Sequence, residues 1–206
     1  FFTITKTTAP TLNLILANGD NTVDITTELF AVGGIGNYDV TYTYTDPITN
    51  CQNIAPSRTL IINPLPVLTF EFPKPDGISE DNTYCESATV LTLNPIWSNA
   101  GGRPFIPSSG FFRFTKGAFV YNAPAGVNTI NPNINLVQGG GSYGIYQVTY
   151  HYTDANGCTN VSPAKELRIY PLPQLSFNYT NACFGDVTQF TPTITLPAID
   201  ANDGIT

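Results

Sequence analysis

The sequence repeats itself, and that constrains the fold more than any single motif. Val40 to Cys51 reads VTYTYTDPITNC, and Val148 to Cys158 reads VTYHYTDANGC, one residue shorter in its turn. Leu60-Ile61-Ile62-Asn63-Pro64-Leu65-Pro66 returns as Leu167-Arg168-Ile169-Tyr170-Pro171-Leu172-Pro173, and Phe1-Phe2-Thr3-Ile4-Thr5-Lys6 returns as Phe111-Phe112-Arg113-Phe114-Thr115-Lys116. The offset drifts from roughly 110 to roughly 107 residues, as small loop insertions would make it drift. A period that long is one independent domain rather than a solenoid turn. Each Pro-Leu-Pro fixes φ at its prolines and favours a short, stiff, extended connector, so repeat boundaries are expected there. The expected organisation is residues 1–66 as the C-terminal part of one repeat, 67–173 as a complete repeat, and 174–206 as the N-terminal part of a third.

Within the complete repeat, period-2 patterning predicts strands near 67–72, 88–94, 111–115, 118–121, 130–136, 145–153 and 159–170, with no helix. Tyr146, Val148, Tyr150 and Tyr152 share one face, and Tyr38, Val40, Tyr42 and Tyr44 repeat the pattern. Leu68, Phe70 and Phe72 return as Leu175, Phe177 and Tyr179, and the Cys85-led segment before Leu93 returns as the Cys183-led segment before Phe190. Abundant Gly and Pro, 17 of each, separate the strands. Seven short strands punctuated in this way predict an all-β fold, a tandem array of immunoglobulin-like Greek-key β-sandwiches.

Charged residues are only 11% and the formal charge is −7, with eight scattered Lys and Arg. No basic face is available to a phosphate backbone, so nucleic acid is not an expected partner. No apolar run is long enough for a membrane-spanning helix, and residue 1 is not Met, as expected for a stretch from inside a longer polypeptide. Four cysteines in a chain this poor in charge suit an oxidising exterior.

At Tyr146 to Cys158, at Ile169 to Pro173 and at the Cys85 and Cys183 segments, the chain resembles the immunoglobulin-like and PKD-like repeats of very large Bacteroidota surface proteins. These include gliding-motility-associated adhesins exported by the type IX secretion system. The resemblance covers essentially the whole chain through its repeats. It implies a secreted, surface-anchored array used for adhesion or as a stalk.

The cysteines admit two pairings. Cys85 with Cys158 would close a loop within the complete repeat, worth roughly 4 kcal/mol in the chain-entropy model. The predicted strand directions put the two at opposite poles, some 25 Å apart, against a limit of about 6.8 Å between bridged Cα atoms. That favours bridges between repeats, in which Cys85 and Cys158, like Cys51 and Cys183, take partners from neighbouring repeats. A metal site is a third reading, poorly served by isolated cysteines and one histidine. Oxygen-rich turns at Asp76, Glu80, Asp81 and Glu86 and at Asp200, Asn202 and Asp203 make Ca²⁺ a further option, with Asp76, Asp81, Asp200 and Asp203 as its candidate ligands. Neither turn has EF-hand spacing, and solvated acidic turns are common.

His151 lies on the outward face of its strand, where an ordinary solvated residue is expected. Trp97 could stack on carbohydrate but is expected to plug the core. The tyrosine ladder is expected to be core and cross-strand packing. Gly139-Gly140-Gly141 precedes a strand and is expected to be a flexible loop. No catalytic set emerges, and the expected role is a non-enzymatic, extracellular, structural and adhesive segment of a surface protein or filament. Its expected partners are neighbouring repeats, surface polysaccharide and other cell-surface components. Two alternatives stand beside it: spacer or carbohydrate-binding accessory repeats of a secreted enzyme, and a strand-exchanged subunit of a polymeric fibre.

Overall fold

The computed structural model describes residues 1–74, 79–98, 104–184 and 187–197. The chain is predominantly β and divides into two compact units, Phe1–Leu65 and Pro66–Thr206. Unit one contains β1 (Phe2–Lys6), β2 (Leu12–Ile15), β3 (Gly36–Thr45), β4 (Gln52–Ile54) and β5 (Arg58–Ile62). Its sheet runs β2-β1-β3-β4, with β5 sharing the β4 edge of β3.

Unit two contains β6 (Val67–Glu71), β7 (Thr83–Cys85), β8 (Leu91–Thr92), β9 (Asn94–Ser98), β10 (Gly110–Lys116), β11 (Phe119–Asn122), β12 (Thr129–Ile130), β13 (Gly144–Thr153), β14 (Thr159–Val161) and β15 (Lys165–Tyr170). The hairpin β16 (Gln174–Tyr179) and β17 (Phe190–Thr195) follows. The main sheet runs β11-β10-β13-β15-β7, with β14 also on β13, and β7 pairs in parallel with β15. Separate two-stranded pairs join β6 to β9, β8 to β12 and β16 to β17.

The two units are built to the same register. Phe2 faces Tyr42 and Ile4 faces Val40 in unit one, while Phe112 faces Tyr150 and Phe114 faces Val148 in unit two. Gly36–Ile62 matches Gly144–Ile169, and Tyr44–Asn53 matches Tyr152–Asn160. Each pair is related by the offsets read from the sequence.

In unit two Leu68 and Phe70 of β6, with Phe72 just beyond it, close over the main sheet. Phe70 meets Phe112 edge-on at 5.4 Å, and Phe112 leans on Tyr150 at 4.8 Å. Leu91, Leu93 and Ile130 complete the same buried cluster. Edge-to-face aromatic pairs of this kind add to simple area burial.

Three local expectations are corrected. The expected strand over 88–94 divides into β8 and β9. The expected strand over 159–170 breaks at Ser162-Pro163-Ala164, because Pro163 has no N–H to give the ladder. Ser162 bridges the break: its N–H donates to the Tyr150 carbonyl at 2.8 Å, and its Oγ accepts from the Tyr150 N–H at 2.9 Å.

The third correction concerns helix. The expected strand over 130–136 stops after β12, and Pro132–Gly141 is helical. Asn131 Oδ1 accepts from Ile134 N at 3.0 Å, and Asn131 N donates to Asn135 Oδ1 at 2.8 Å, a reciprocal cap with proline in the first turn. Unit one has its counterpart at Ile25–Phe30 and Ala31–Gly33. There Asp24 Oδ1 accepts from Thr26 N and Thr27 N, and Asp24 N donates to Glu28 Oε2. The backbone N–H groups of Thr27 and Thr26 hold the Asp24 carboxyl below its ordinary value.

Gly139-Gly140-Gly141 is therefore not a free loop but the end of this helical segment. Gly141 is buried, and a Cβ there would run into the Tyr146 hydroxyl, the Phe119 ring and the Leu136 carbonyl. Gly33 meets Tyr38 in the same way in unit one. Gly141→Ala is expected to cost about 1–3 kcal/mol by overpacking, measured as a fall in the urea midpoint. An unchanged midpoint would contradict this close approach.

Candidate functional site

The cysteines are distributed by the β13 register. Cys85 ends β7 beside Tyr170, one residue beyond the Ile169–Gly144 pair, and so lies where β13 begins. Cys158 follows the other end of β13, in a turn where its carbonyl accepts from Asp154 N at 2.9 Å. The ten residues of β13 at about 3.3 Å each put roughly 30 Å between these ends. Cys51 occupies the matching turn of unit one, its carbonyl accepting from Asp46 N. Cys51, Cys85 and Cys158 are free thiols, with Cys51 and Cys85 exposed, as is Cys183.

Asp76, Asp200, Asn202 and Asp203 lie outside the described residues. Glu80, Asp81 and Glu86 are engaged by protein groups. Asp81 Oδ1 accepts from Thr83 N at 3.0 Å, and its carbonyl accepts from the Tyr84 hydroxyl. Glu80 receives Lys165 Nζ at 2.8 Å and Phe72 N at 3.1 Å. Glu86 receives the Tyr143 hydroxyl on one oxygen and Leu172 N on the other. Among the described residues no three His, Cys, Asp or Glu side chains converge on a point where a cation could bind.

His151 is less solvated than its strand face implied. It stacks on Phe111 at 4.9 Å with nearly parallel rings, and its Nε2 is 3.0 Å from Thr149 Oγ1. Burial holds its pKa below the ordinary imidazole value, and the Arg113 charge acts in the same direction. The unfolded chain then takes up a proton that the folded chain resists. The stability tied to His151 is complete above its unfolded pKa and is lost as pH falls through the folded one. The drop in Tm from about pH 7.5 to about pH 5 should therefore be larger in the wild type than in His151→Thr. Equal drops would contradict the assignment.

Trp97 packs at the margin of the core, 6.0 Å from Phe105, which in turn is 5.2 Å from Tyr152. The tyrosine ladder, by contrast, separates the two units. Tyr150 and Tyr152 are each 2% exposed, whereas Tyr42 and Tyr44, at the same register positions, are 40% and 54% exposed. Core packing therefore describes the ladder in unit two and only its Tyr38 end in unit one, where Leu29 and Tyr38 are fully buried. Open apolar ground continues beside Tyr42 as a cleft of about 210 Å³ lined by Phe2, Ile4, Leu16, Val23, Val40 and Leu60.

The β16–β17 hairpin carries the opposite kind of surface. Leu175, Phe177, Tyr179, Phe190 and Ile194 line up on one side of it and are all exposed. The residues concerned match buried ones in unit two.

No family model matches the chain, and no curated protein matches it. No helix among the described residues is long and apolar enough to cross a membrane.

Proposed function

We propose that this chain is a structural and adhesive segment of a long extracellular surface protein, built from immunoglobulin-like Greek-key repeats joined by short stiff connectors. The observation that carries the reading is the common hydrogen-bond register of the two units. A chain that builds the same domain twice at a fixed period is organised to extend and to present the same surface repeatedly, where weak contacts gain strength by number.

Two features support the immunoglobulin-like assignment. The strand order β11-β10-β13-β15-β7 ends in a parallel pair on an otherwise antiparallel sheet. Near the start of β13, the Tyr146 hydroxyl also donates back to the Ser142 carbonyl, as Tyr38 does to the Gly34 carbonyl, in the manner of a tyrosine corner. Cysteines at opposite ends of β13 suit bridges to neighbouring repeats better than a bridge within one, and they fit the oxidising exterior that the reading requires.

Electron microscopy of the native protein tests the role. Evenly spaced beads along a thin filament are expected, and a compact particle would overturn it. Non-reducing peptide mapping tests the cysteines: a peptide joining Cys85 to Cys158 would overturn the bridges between repeats.

A further inference from the structure

We propose that unit two carries a binding site for one residue of a neutral sugar, in the cleft between the starts of β9 and β10 and the β11–β12 loop. This names a ligand class for the adhesive reading and rests on that reading for its use. The array is tested by electron microscopy and the cleft by binding, so either can fail alone.

The buried tyrosines of unit two engage their hydroxyls within the protein, with one exception. Tyr146 donates to the Ser142 carbonyl, and the Tyr152 hydroxyl accepts from Ile106 N at 3.2 Å. Tyr150 is 2% exposed, and among the described residues its hydroxyl has no hydrogen-bond partner. A buried phenol normally finds one. Burial also keeps it protonated, with its pKa pushed up to about 12, so it stands ready as a donor. Its tip lies against Gly110, where a Cβ would overlap it, and both residues line a cleft of about 250 Å³. The unused donor therefore faces the cleft.

The rest of the lining suits a neutral ring with polar edges. Phe105, Phe112 and Val127 supply apolar surface. Asn94 and Asn128 are exposed to solvent, and each offers an amide donor and a carbonyl acceptor. None of the described lining residues carries a charge, so an anion finds no cation there and a cation finds no carboxylate. A purely apolar ligand would leave the Tyr150 hydroxyl unpaired. A sugar residue meets both demands, with a C–H face for the aromatic rings and hydroxyls for the amides and the phenol. The volume is below the roughly 300 Å³ at which sites for drug-sized ligands begin, which suits one ring rather than several.

Backbone bonds hold the walls in place. Gly126 N donates to the Gly110 carbonyl at 2.8 Å, and Leu93 N donates to the Asn128 carbonyl at 2.8 Å. Tyr152 fixes residues 105–107 through Ile106 N. A cleft pinned in this way needs little ordering when a ligand enters. Trp97, the sequence's candidate for stacking on carbohydrate, does not line it, whereas Phe105, its neighbour at 6.0 Å, does.

Heteronuclear NMR of the isotope-labelled 206-residue chain, titrated with the methyl glycosides of glucose, galactose, mannose and N-acetylglucosamine, tests this. At least one should bind with a millimolar Kd and shift the amide signals of Gly110, Gly126, Val127 and Asn128. Methyl glucuronide, as the anionic probe, and cyclohexanol, as the apolar probe, should bind more weakly than the best neutral glycoside.

Tyr150→Phe removes the hydroxyl alone, and it should weaken the best glycoside about 10-fold while leaving Tm unchanged. Asn128→Ala, a change at an exposed side chain, should also weaken binding at unchanged Tm. No glycoside that shifts the cleft amides, tighter binding of either control probe, or full affinity in Tyr150→Phe would each overturn the proposal. A lower Tm in Tyr150→Phe would overturn it as well, by showing that the hydroxyl is already paired within the fold.

Discussion

Tyr150→Ala is expected to lower the unfolding free energy of unit two by about 3–5 kcal/mol, while Tyr42→Ala, at the same register position in unit one, is expected to cost less than about 1 kcal/mol. Both tyrosines lie on the same ladder and face the equivalent phenylalanine across the sheet, Phe112 and Phe2. The difference is cover. Tyr150 lies under the β6–β9 strand pair at 2% exposure, so truncation leaves a cavity in the cluster that holds Phe70, Phe112 and Tyr152. Tyr42 at 40% exposure gives up a surface contact.

Burial also pushes the Tyr150 phenol up to about 12, with Tyr152 contributing in the same direction. The stability tied to that neutral phenol is present below the unfolded tyrosine pKa of about 10 and is lost as pH rises toward 12. Urea unfolding of the two variants checks the contrast. Equal losses would mean that the two ladders have equal environments.

Lys6→Met is the second change expected to have a large effect, about 2–3 kcal/mol in unit one. Lys6 is only 5% exposed, and its ammonium donates to the Gly33 carbonyl and, at 2.7 Å, to the Ile35 carbonyl. It also stands 5.6 Å from the centre of the Tyr38 ring. One buried cation thus ties β1 to the end of the helical segment and to the entry of β3. Methionine fills the space but leaves two carbonyls without their donor.

Lys116 repeats the device in unit two, donating to Ser142 Oγ and the Tyr143 carbonyl beside Tyr146. It is less buried than Lys6, so Lys116→Met is expected to cost less. A larger loss at Lys116 than at Lys6 in thermal or urea unfolding would contradict this ranking.

The strands were legible where one face is buried and the other wet, as at Tyr146, Val148, Tyr150 and Tyr152, because alternation then records the fold directly. Helix was not legible at Pro132–Gly141. Ile134 and Leu136 are spaced like strand residues, and glycines fill the last turn. The segment is held by its Asn131 cap and by the Tyr146 hydroxyl on Ser142, and the latter contact is tertiary.

Lys6 and Lys116 lay in plain view at matching repeat positions. Nothing local marks a lysine as buried, however, and their carbonyl partners are about 30 residues away in the chain. The exposure of Tyr42 and Tyr44 could not be read from their own segment, because they repeat the buried Tyr150 and Tyr152 and burial depends on what covers the face.

Tyrosine nitration read by peptide mapping at low protein concentration tests the central claim most directly, namely that one fold is present twice with its aromatic face closed in one unit and open in the other. Tyr42 and Tyr44 are expected to be modified while Tyr150 and Tyr152 are spared. Equal modification of the two pairs in dilute solution would contradict the account.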